Sequence, residues 1–342
     1  MDLHDLNFGI EIEFTGITRY RAAQVAAEFF NTRIWDSFYH SQDAYQVPDE
    51  NARVWKCVYD GSIIAQKKQG NRRVNAGKEY RVELVSPICQ YDDIPQIQDL
   101  IRQLRNAGAF ASKQCGIHIH VDASAFDSST MKNLVNIMAS KEDLIFKALQ
   151  VQPSRIHYCE KLNPIFVDTV NQRNPKTLEQ LMRIWNGQEG MCGQDRYHSL
   201  NLCSVSKHGT VEYRLFNSDI QHTGKVKAYI QLCLAITAQA LNQRSASREK
   251  TISTNEKYTF RTWLIRLGMN GDEFKTAREH LLEHLDGCIA WKDPAQAERQ
   301  KERQRQAREA VPLQQLETET ASHLEVPEPV DEEDTPVLSM SM

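Results

Sequence analysis

Glu11 and Glu13, His118 and His120, and Glu212 and Arg214 are three pairs of ionisable residues, each split by one hydrophobic position. Successive side chains of a β-strand point to opposite faces. In 8–14, Phe8, Ile10, Ile12 and Phe14 therefore turn one way, and Glu11 and Glu13 the other. Ile117, Ile119 and Val121 oppose His118, His120 and Asp122 in the same manner, and Val211, Tyr213 and Leu215 oppose Glu212 and Arg214. Glu83, with Glu79 and Arg81 on its side, opposes Tyr80, Val82 and Leu84. If these strands share a sheet, one face packs on helices and the other gathers carboxylates, imidazoles and an arginine. Crowded carboxylates raise one another's pKa unless cations neutralise them. An oxygen-rich set with an imidazole suits Mg²⁺ or Mn²⁺, whereas an all-His/Cys set would suit zinc. An arginine among them suits an anion such as phosphate, and metals beside phosphate are the components of phosphoryl transfer. Any one of these strands could equally be the wet face of an antiparallel sheet. Such faces normally favour Thr, Lys, Ser and Gln, yet Lys is absent from all four apart from Lys78 at an edge.

The elements that must hold these residues are short strands mixed with amphipathic helices. Ala22, Val25, Ala26 and Phe29 recur at helical spacing, as do Ile97, Leu100, Ile101 and Leu104, then Met131, Leu134, Val135 and Met138. Trp55–Tyr59 and Ser62–Gln66 read as two strands around Asp60-Gly61, a tight-turn dipeptide. Tyr80–Val85 reads as a strand closed by Ser86-Pro87, and Ser199–Val205 and Thr210–Phe216 as two more. Residues 150–195 are irregular, with Pro153, Pro164 and Pro175, and form an excursion from the core, helical around Leu178–Trp185. Val226–Leu241 is apolar nearly all round, as a buried helix is, and Phe260, Trp263, Leu264 and Leu267 mark a last stripe. Strands with hairpin-length links and helices needing one sheet face indicate an α+β fold around a largely antiparallel sheet.

The chain has 342 residues, 41% of them hydrophobic and 25% charged, which are the proportions of a globular protein. No run approaches the 18 or so apolar residues of a membrane span. The start, Met1-Asp2-Leu3-His4-Asp5, has neither the basic nor the apolar region of a signal peptide. Eight cysteines without a CxxC pair read as reduced thiols, so a cytoplasmic location is expected. Cys115 and Cys159 lie nearest the charged motifs, and burial as inert thiols is the better expectation for both. Residues 317–342 hold eight acids and no Lys or Arg, leaving the body up to Asp293 almost neutral, which argues against a dedicated nucleic-acid binder. The expected organisation is a catalytic domain over 1–293 and, over 294–342, a charged helix and a disordered acidic tail, which could dock a protein partner. Lys67, Lys68, Arg72 and Arg73 form a basic loop between strands, ordinarily a solvated hairpin end, or else an attraction for ATP or an acidic substrate.

Five segments in order carry a resemblance to a known family. They are Phe8–Phe14, Glu83-Leu84-Val85-Ser86-Pro87, Gly116–Asp122, Arg196-Tyr197-His198-Ser199-Leu200-Asn201 and Thr210–Asn217. Over roughly residues 6–285 the chain resembles the amidoligases, which stand with glutamine synthetase and glutamate–cysteine ligase among the carboxylate–amine ligases. The resemblance implies an ATP-dependent ligase that activates a carboxylate as an acyl phosphate, which an amine or ammonia then displaces as an amide or isopeptide. It implies that type of catalytic domain, with the metal and nucleotide site on the open sheet face, and ATP with Mg²⁺ or Mn²⁺ as cofactors. Carried over by motif, Glu13 and Glu83 would hold one ion, and Glu11, His118 and Glu212 the other. Arg214 would stabilise the transferred phosphoryl group, making Arg214, Glu212 and Glu83 the catalytic set. His120, Arg196 and Asn201 would lie with Arg214 near the nucleotide. Glu79 would either fill a further carboxylate position or be solvated. Arg155, Tyr158, Cys159 and Lys161 would be either a grip on the acid substrate, an amino acid, peptide or protein, or structural. Two other readings stand beside this one: a metallohydrolase built on His118-x-His120-x-Asp122, and a non-catalytic interaction or nucleic-acid-binding protein on a degenerate ligase fold.

Overall fold

The computed structural model describes residues 1–35, 44–187, 195–291 and, within 295–306, all but 297, 301 and 304. Residues Met1–Ile289 form one compact unit and Ala290–Met342 a second. The second is helical at its described positions between 295 and 306; the expected acidic tail lies outside the described residues.

The first unit is a mixed α+β structure around a seven-stranded sheet. Its strands are β1 (Phe8–Phe14), β2 (Ala44–Pro48), β3 (Val54–Val58), β6 (Val82–Val85), β7 (Gly116–Asp122), β8 (Leu200–Asn201) and β9 (Thr210–Asn217). They run in the order β2-β3-β6-β1-β7-β9-β8, each neighbour antiparallel. A separate ribbon pairs β4 (Gln66–Gln69) with β5 (Arg72–Asn75). The helices are α1 (Arg19–Phe30), α2 (Ile94–Asn106), α3 (Ser128–Leu149), α4 (Pro164–Arg173), α5 (Leu178–Trp185), α6 (Cys203–His208), α7 (Thr223–Asn242), α8 (Glu256–Arg266) and α9 (Lys275–Leu282).

The alternation in β1 decides its orientation. Phe8, Ile10, Ile12 and Phe14 are all buried and join Ile117, Ile119 and Val121 of β7 in one apolar layer. Each such side chain contributes about 1.5–3 kcal/mol on burial. Helices α1 and α7 contact that sheet, and α2 and α3 pack against α7. The apolar circumference of α7 follows, since Val226, Ile230, Leu234 and Ala238 are buried together with Leu232 and Ile236. Helices α4 and α5, within the irregular stretch, pack on α3.

Three sequence expectations are corrected. Residues 62–65 are not a strand, and Asp60-Gly61 is not a hairpin turn. The Asp60 carboxylate accepts from the Ser62 backbone (2.6 Å) and hydroxyl (2.5 Å), which closes a local Asx turn, while both edges of β3 are taken by β2 and β6. Lys67, Lys68, Arg72 and Arg73 lie exposed on the ribbon, as the solvated hairpin end that the sequence suggests. Ser199–Val205 yields only the two residues of β8, because Asn201 Oδ1 accepts from the Cys203 backbone (2.9 Å) and starts α6. Tyr80–Val85 begins with a tight turn over 78–80, so the strand starts at Val82 and Glu79 is exposed.

Gly16 ends β1 with φ +96°, and a Cβ there would overlap Gly108 O and lie 2.6 Å from the Phe110 ring. Backbone on one side and a buried ring on the other leave no room to yield. Gly16→Ala should destabilise by ~2 kcal/mol or more in urea unfolding; a change within 0.5 kcal/mol, roughly the range of neutral surface substitutions, would show this crossing to be slack.

No helix among the described residues is long and apolar enough to cross a membrane.

Candidate active site

Register brings the charged pairs together on the face that the helices leave open. Glu11 stands opposite His118, Glu13 opposite Glu83, and His120 opposite Glu212. The β7–β9 pairing slips by one residue between Ile117 and Ile119. That bulge falls after Arg214 on β9, so Leu215 and Phe216 are both buried while Arg214 keeps to the polar side with Glu212.

Ligand atoms converge in three groups: Glu11, Glu83 and His118; Glu11, His120 and Glu212; and Glu13, Asp60 and Glu83. His118 Nδ1 lies 3.1 Å from Glu11 and 3.7 Å from Glu212, and its Nε2 lies 3.8 Å from Glu13. His118 thus touches both ends of the cluster. His120 Nε2 lies 3.5 Å from Glu11 and 4.0 Å from Glu212, so His120 faces the same two carboxylates as His118 at slightly greater distances.

Surrounding groups orient these side chains. Gly116 N–H donates to Glu13 Oε2 (2.6 Å), and Asn201 Nδ2 donates to Glu212 Oε2 (2.5 Å). Asn201, expected near the nucleotide, therefore acts here on Glu212. Arg214 Nη1 donates to the other oxygen of Glu212, and its Nε reaches Tyr158 O (3.3 Å). His120 Nδ1 faces the hydroxyls of Thr210 (3.0 Å) and Ser204 (3.2 Å), while its buried Nε2 has no hydrogen-bond partner. With the proton on Nδ1, the Nε2 lone pair is free to bind a cation between Glu11 and Glu212.

The electrostatics divide the cluster in two. Burial opposes ionisation of Glu11, but the adjoining His118 and His120 rings outweigh it and hold the carboxyl below its ordinary range. Burial is likewise overcome at Glu212 by Arg214 and the two imidazoles, which lower its pKa. At Glu13 burial wins, despite His118 and the Gly116 N–H, and the pKa rises. Glu83 is pushed well up, by burial first and then by the charges of Glu11, Glu13 and Asp60. Imidazoles and Arg214 adjoin Glu11 and Glu212, whereas at Glu13 and Glu83 burial and the neighbouring carboxylates outweigh the one imidazole beside Glu13. Facing carboxylates plus an orphaned imidazole nitrogen are a donor set that fits hard divalent cations.

A cavity of about 390 Å³ opens beside the cluster, with Glu13, Asp60, His118, Arg155, Arg196 and Arg214 among its walls. Arg196 is exposed at its edge, stacked 4.9 Å over the Tyr197 ring and donating to the Tyr197 hydroxyl (3.0 Å). Asp60 is the member that sequence reasoning missed: it sits outside any alternating strand, and its turn chemistry masked its role. Tyr158 lines the cavity as well, whereas Lys161 pairs with Asp143 (2.5 Å) and Cys159 is buried. Burial pushes the Cys115 thiol up to about 11 and that of Cys159 upward, as inert thiols require. Asp122 turns to Ser124, accepting from its backbone and hydroxyl (both 2.9 Å). It joins neither imidazole, which removes the third ligand from the His-x-His-x-Asp reading.

Comparison with known proteins follows from this geometry. Residues 4–237 match the family described as "Putative amidoligase enzyme". A search among curated protein sequences finds no match. Among solved structures, the chain is similar to a bifunctional glutathione synthetase from Pasteurella multocida, at 12% identity and a TM-score of 0.31. That alignment covers 82% of this chain and 47% of the other, so the chain spans about half the length of that protein.

Proposed function

Since this chain belongs to the amidoligase family, we propose that it is an ATP-dependent carboxylate–amine ligase of the glutamine synthetase and glutamate–cysteine ligase type, with its site on the open face of the sheet. The observation that carries this reading is the juxtaposition of Glu13 and Glu83, paired across β1 and β6, with the Glu11–His118–His120–Glu212 set and Arg214. In the reaction, a carboxylate oxygen of the acid attacks the γ-phosphorus of ATP and ADP leaves. The amine nitrogen then attacks the acyl carbon, phosphate departs with the carbon–oxygen bond, and the nitrogen loses a proton to give the amide.

Glu13, Asp60 and Glu83 would hold one divalent cation, and Glu11, Glu212 and an imidazole the other. When bound, Mg²⁺ or Mn²⁺ would offset phosphate charge. The chain's own residues supply the remainder. Arg214 is braced by Glu212 and Tyr158 O and so presents a fixed charge to the cavity for the transferred phosphoryl group. Arg196 adds a second cation at the rim. Thr210 and Ser204 hold the His120 ring, and Asn201 holds Glu212, so neither side chain must be ordered on binding. The acid would be an amino acid, a peptide or a protein side chain, and the nitrogen nucleophile an amine or ammonia.

Thermal unfolding with and without Mg-ADP tests the reading. At about 100 times its dissociation constant, a ligand that binds only the folded state stabilises by roughly 2.7 kcal/mol. Mg-ADP should raise the midpoint of the wild type and leave Glu212→Ala unmoved. An equal response in both proteins would remove Glu212 from the site, and no response in either would count against ATP-dependent ligation.

A further inference from the structure

The ligase reading leaves one buried acid without a task. Glu142, on α3, is fully buried, and among the described residues it joins no ion pair. The neighbouring Lys161 and Lys250 pair with Asp143 instead (2.5 and 3.4 Å). Burial pushes the Glu142 pKa up, against the pull of the Ser199 hydroxyl, the Leu162 N–H and those two lysines. A buried carboxylate is costly, and an apolar side chain would fill the same space at lower cost if its oxygens were not needed as acceptors.

Both oxygens are used. Leu162 N–H donates to Oε1 (3.0 Å) and Oε2 (3.2 Å), and the Ser199 hydroxyl donates to Oε1 (2.5 Å). Leu162 belongs to the stretch between the tight turn over Pro153–Tyr158 and α4, whereas Ser199 immediately precedes β8. These two stretches also bond to each other, Ser199 N–H to Glu160 O and Glu160 N–H to Tyr197 O (both 2.7 Å). Glu142 therefore bridges the seam at which the excursion meets β8.

That seam carries the supports of Arg214. Ser199 O accepts from Arg214 N–H (2.9 Å), and Tyr158 O, upstream of Leu162, accepts from Arg214 Nε (3.3 Å). Asn201, just past Ser199, donates to Glu212. One segment holds the Arg214 backbone, the other its guanidinium, and Glu142 is bonded to both.

We propose that Glu142 is a positioning residue: by accepting from Leu162 and Ser199 together, it fixes the two segments against each other and so sets the Arg214 guanidinium where a transferred phosphoryl group would lie. This rests on the ligase reading, which gives Arg214 that task. A displacement of about 1 Å at such a group costs on the order of a hundredfold, even when its cause lies away from the chemistry.

Isothermal titration of the full chain with Mg-ADP alone, and with Mg-ADP plus aluminium fluoride as a stand-in for the transferred phosphoryl group, tests the assignment. The wild type should bind the fluoroaluminate complex about a hundredfold more tightly than Mg-ADP, the lower end of the range for transition-state analogues. Ser199→Ala removes one donor, and Glu142→Met removes both acceptors at similar bulk. Each should reduce that preference to within about threefold and leave the Mg-ADP affinity unchanged. Glu142→Gln, whose remaining oxygen can serve both donors, should restore the preference lost in Glu142→Met. If the methionine variant fails to fold, Ser199→Ala decides alone. The proposal is overturned if the wild type binds Mg-ADP but shows no fluoroaluminate preference, if Ser199→Ala keeps the full preference, or if Glu142→Gln restores none of it. It is also overturned if the variants weaken both complexes equally, which would make the contact a support of the fold alone. A wild type that ignores Mg-ADP altogether would sink the ligase reading, and this assignment with it.

Discussion

Arg214→Ala is expected to lower the turnover number for metal-dependent ADP release by about 10³- to 10⁵-fold, the usual contribution of an arginine that stabilises charge on a transferred phosphoryl group. The size of the effect follows from how the side chain is held. Its Nη1 is bound to Glu212, its Nε to Tyr158 O, and only 11% of the side chain is exposed, so the charge acts where water screens it little. Arg214→Lys should recover only a small part of the rate. An ammonium preserves the charge but cannot bridge Glu212 and Tyr158 O while also facing the phosphoryl group. The loss should fall on turnover and leave the Michaelis constant for Mg-ATP nearly unchanged, as expected of an interaction made mainly in the transition state. Steady-state kinetics of both variants, with unfolding midpoints measured alongside, would decide it. A loss of less than tenfold in Arg214→Ala would assign the residue to bracing Glu212 and not to phosphoryl transfer.

Glu83→Gln should change stability and ligand response in opposite directions. In the metal-free protein Glu83 faces Glu13, with Asp60 nearby, and burial together with those charges raises its pKa well above the ordinary 4.5. A carboxyl whose folded value exceeds its unfolded value stabilises the fold fully below the unfolded value, and that contribution is lost as pH rises through the folded value. Glu13, raised in the same direction, adds to the trend. The metal-free wild type should therefore lose stability relative to Glu83→Gln as pH rises from 4.5, with little difference between the two at pH 4.5. Above neutrality the variant should melt higher, by roughly 2–4 °C for each 1 kcal/mol of repulsion relieved. Adding Mg²⁺ should reverse the order, stabilising the wild type and barely affecting the variant. Glu11 and Glu212 are shifted downward, so their contribution is instead lost on acidification, and it is common to both proteins. Melting curves across pH with and without Mg²⁺ would test both halves. A variant that melts lower than the wild type at every pH would mean that the Glu13–Glu83 face is a hydrogen-bonded structural pair and not a cation site.

Much of this arrangement was legible from strand periodicity. Alternation in 8–14, 117–121 and 211–215 identified the open face and its residues, because a period of two leaves each side chain only two directions. Helical spacing likewise marked α1, α2, α3 and α7, whose apolar stripes are buried as expected except that in α1 Phe29 is half-buried and Phe30 fills the core in its place. Where a single polar side chain redirected the backbone, periodicity failed. Asn201 turned an apparent seven-residue strand into β8 and α6, and Asp60 turned an apparent hairpin into a closed loop. Both side chains then prove to be part of the site, Asn201 on Glu212 and Asp60 with Glu13 and Glu83.

The sequence by itself determined the face, since hydrophobic alternation commits every second residue of β1, β7 and β9 to the core and leaves the others to meet on the far side. It also determined the α+β class, since its apolar stripes require one sheet face to cover them. Tertiary structure alone decided which charges meet: the strand order places β1 between β6 and β7, and the register sets Glu13 against Glu83 and His120 against Glu212. It also decided that Arg155, more than a hundred residues from Glu11, ends beside Arg214. Such pairings depend on strands far apart in the chain, and a local pattern has no means of encoding its distant neighbour.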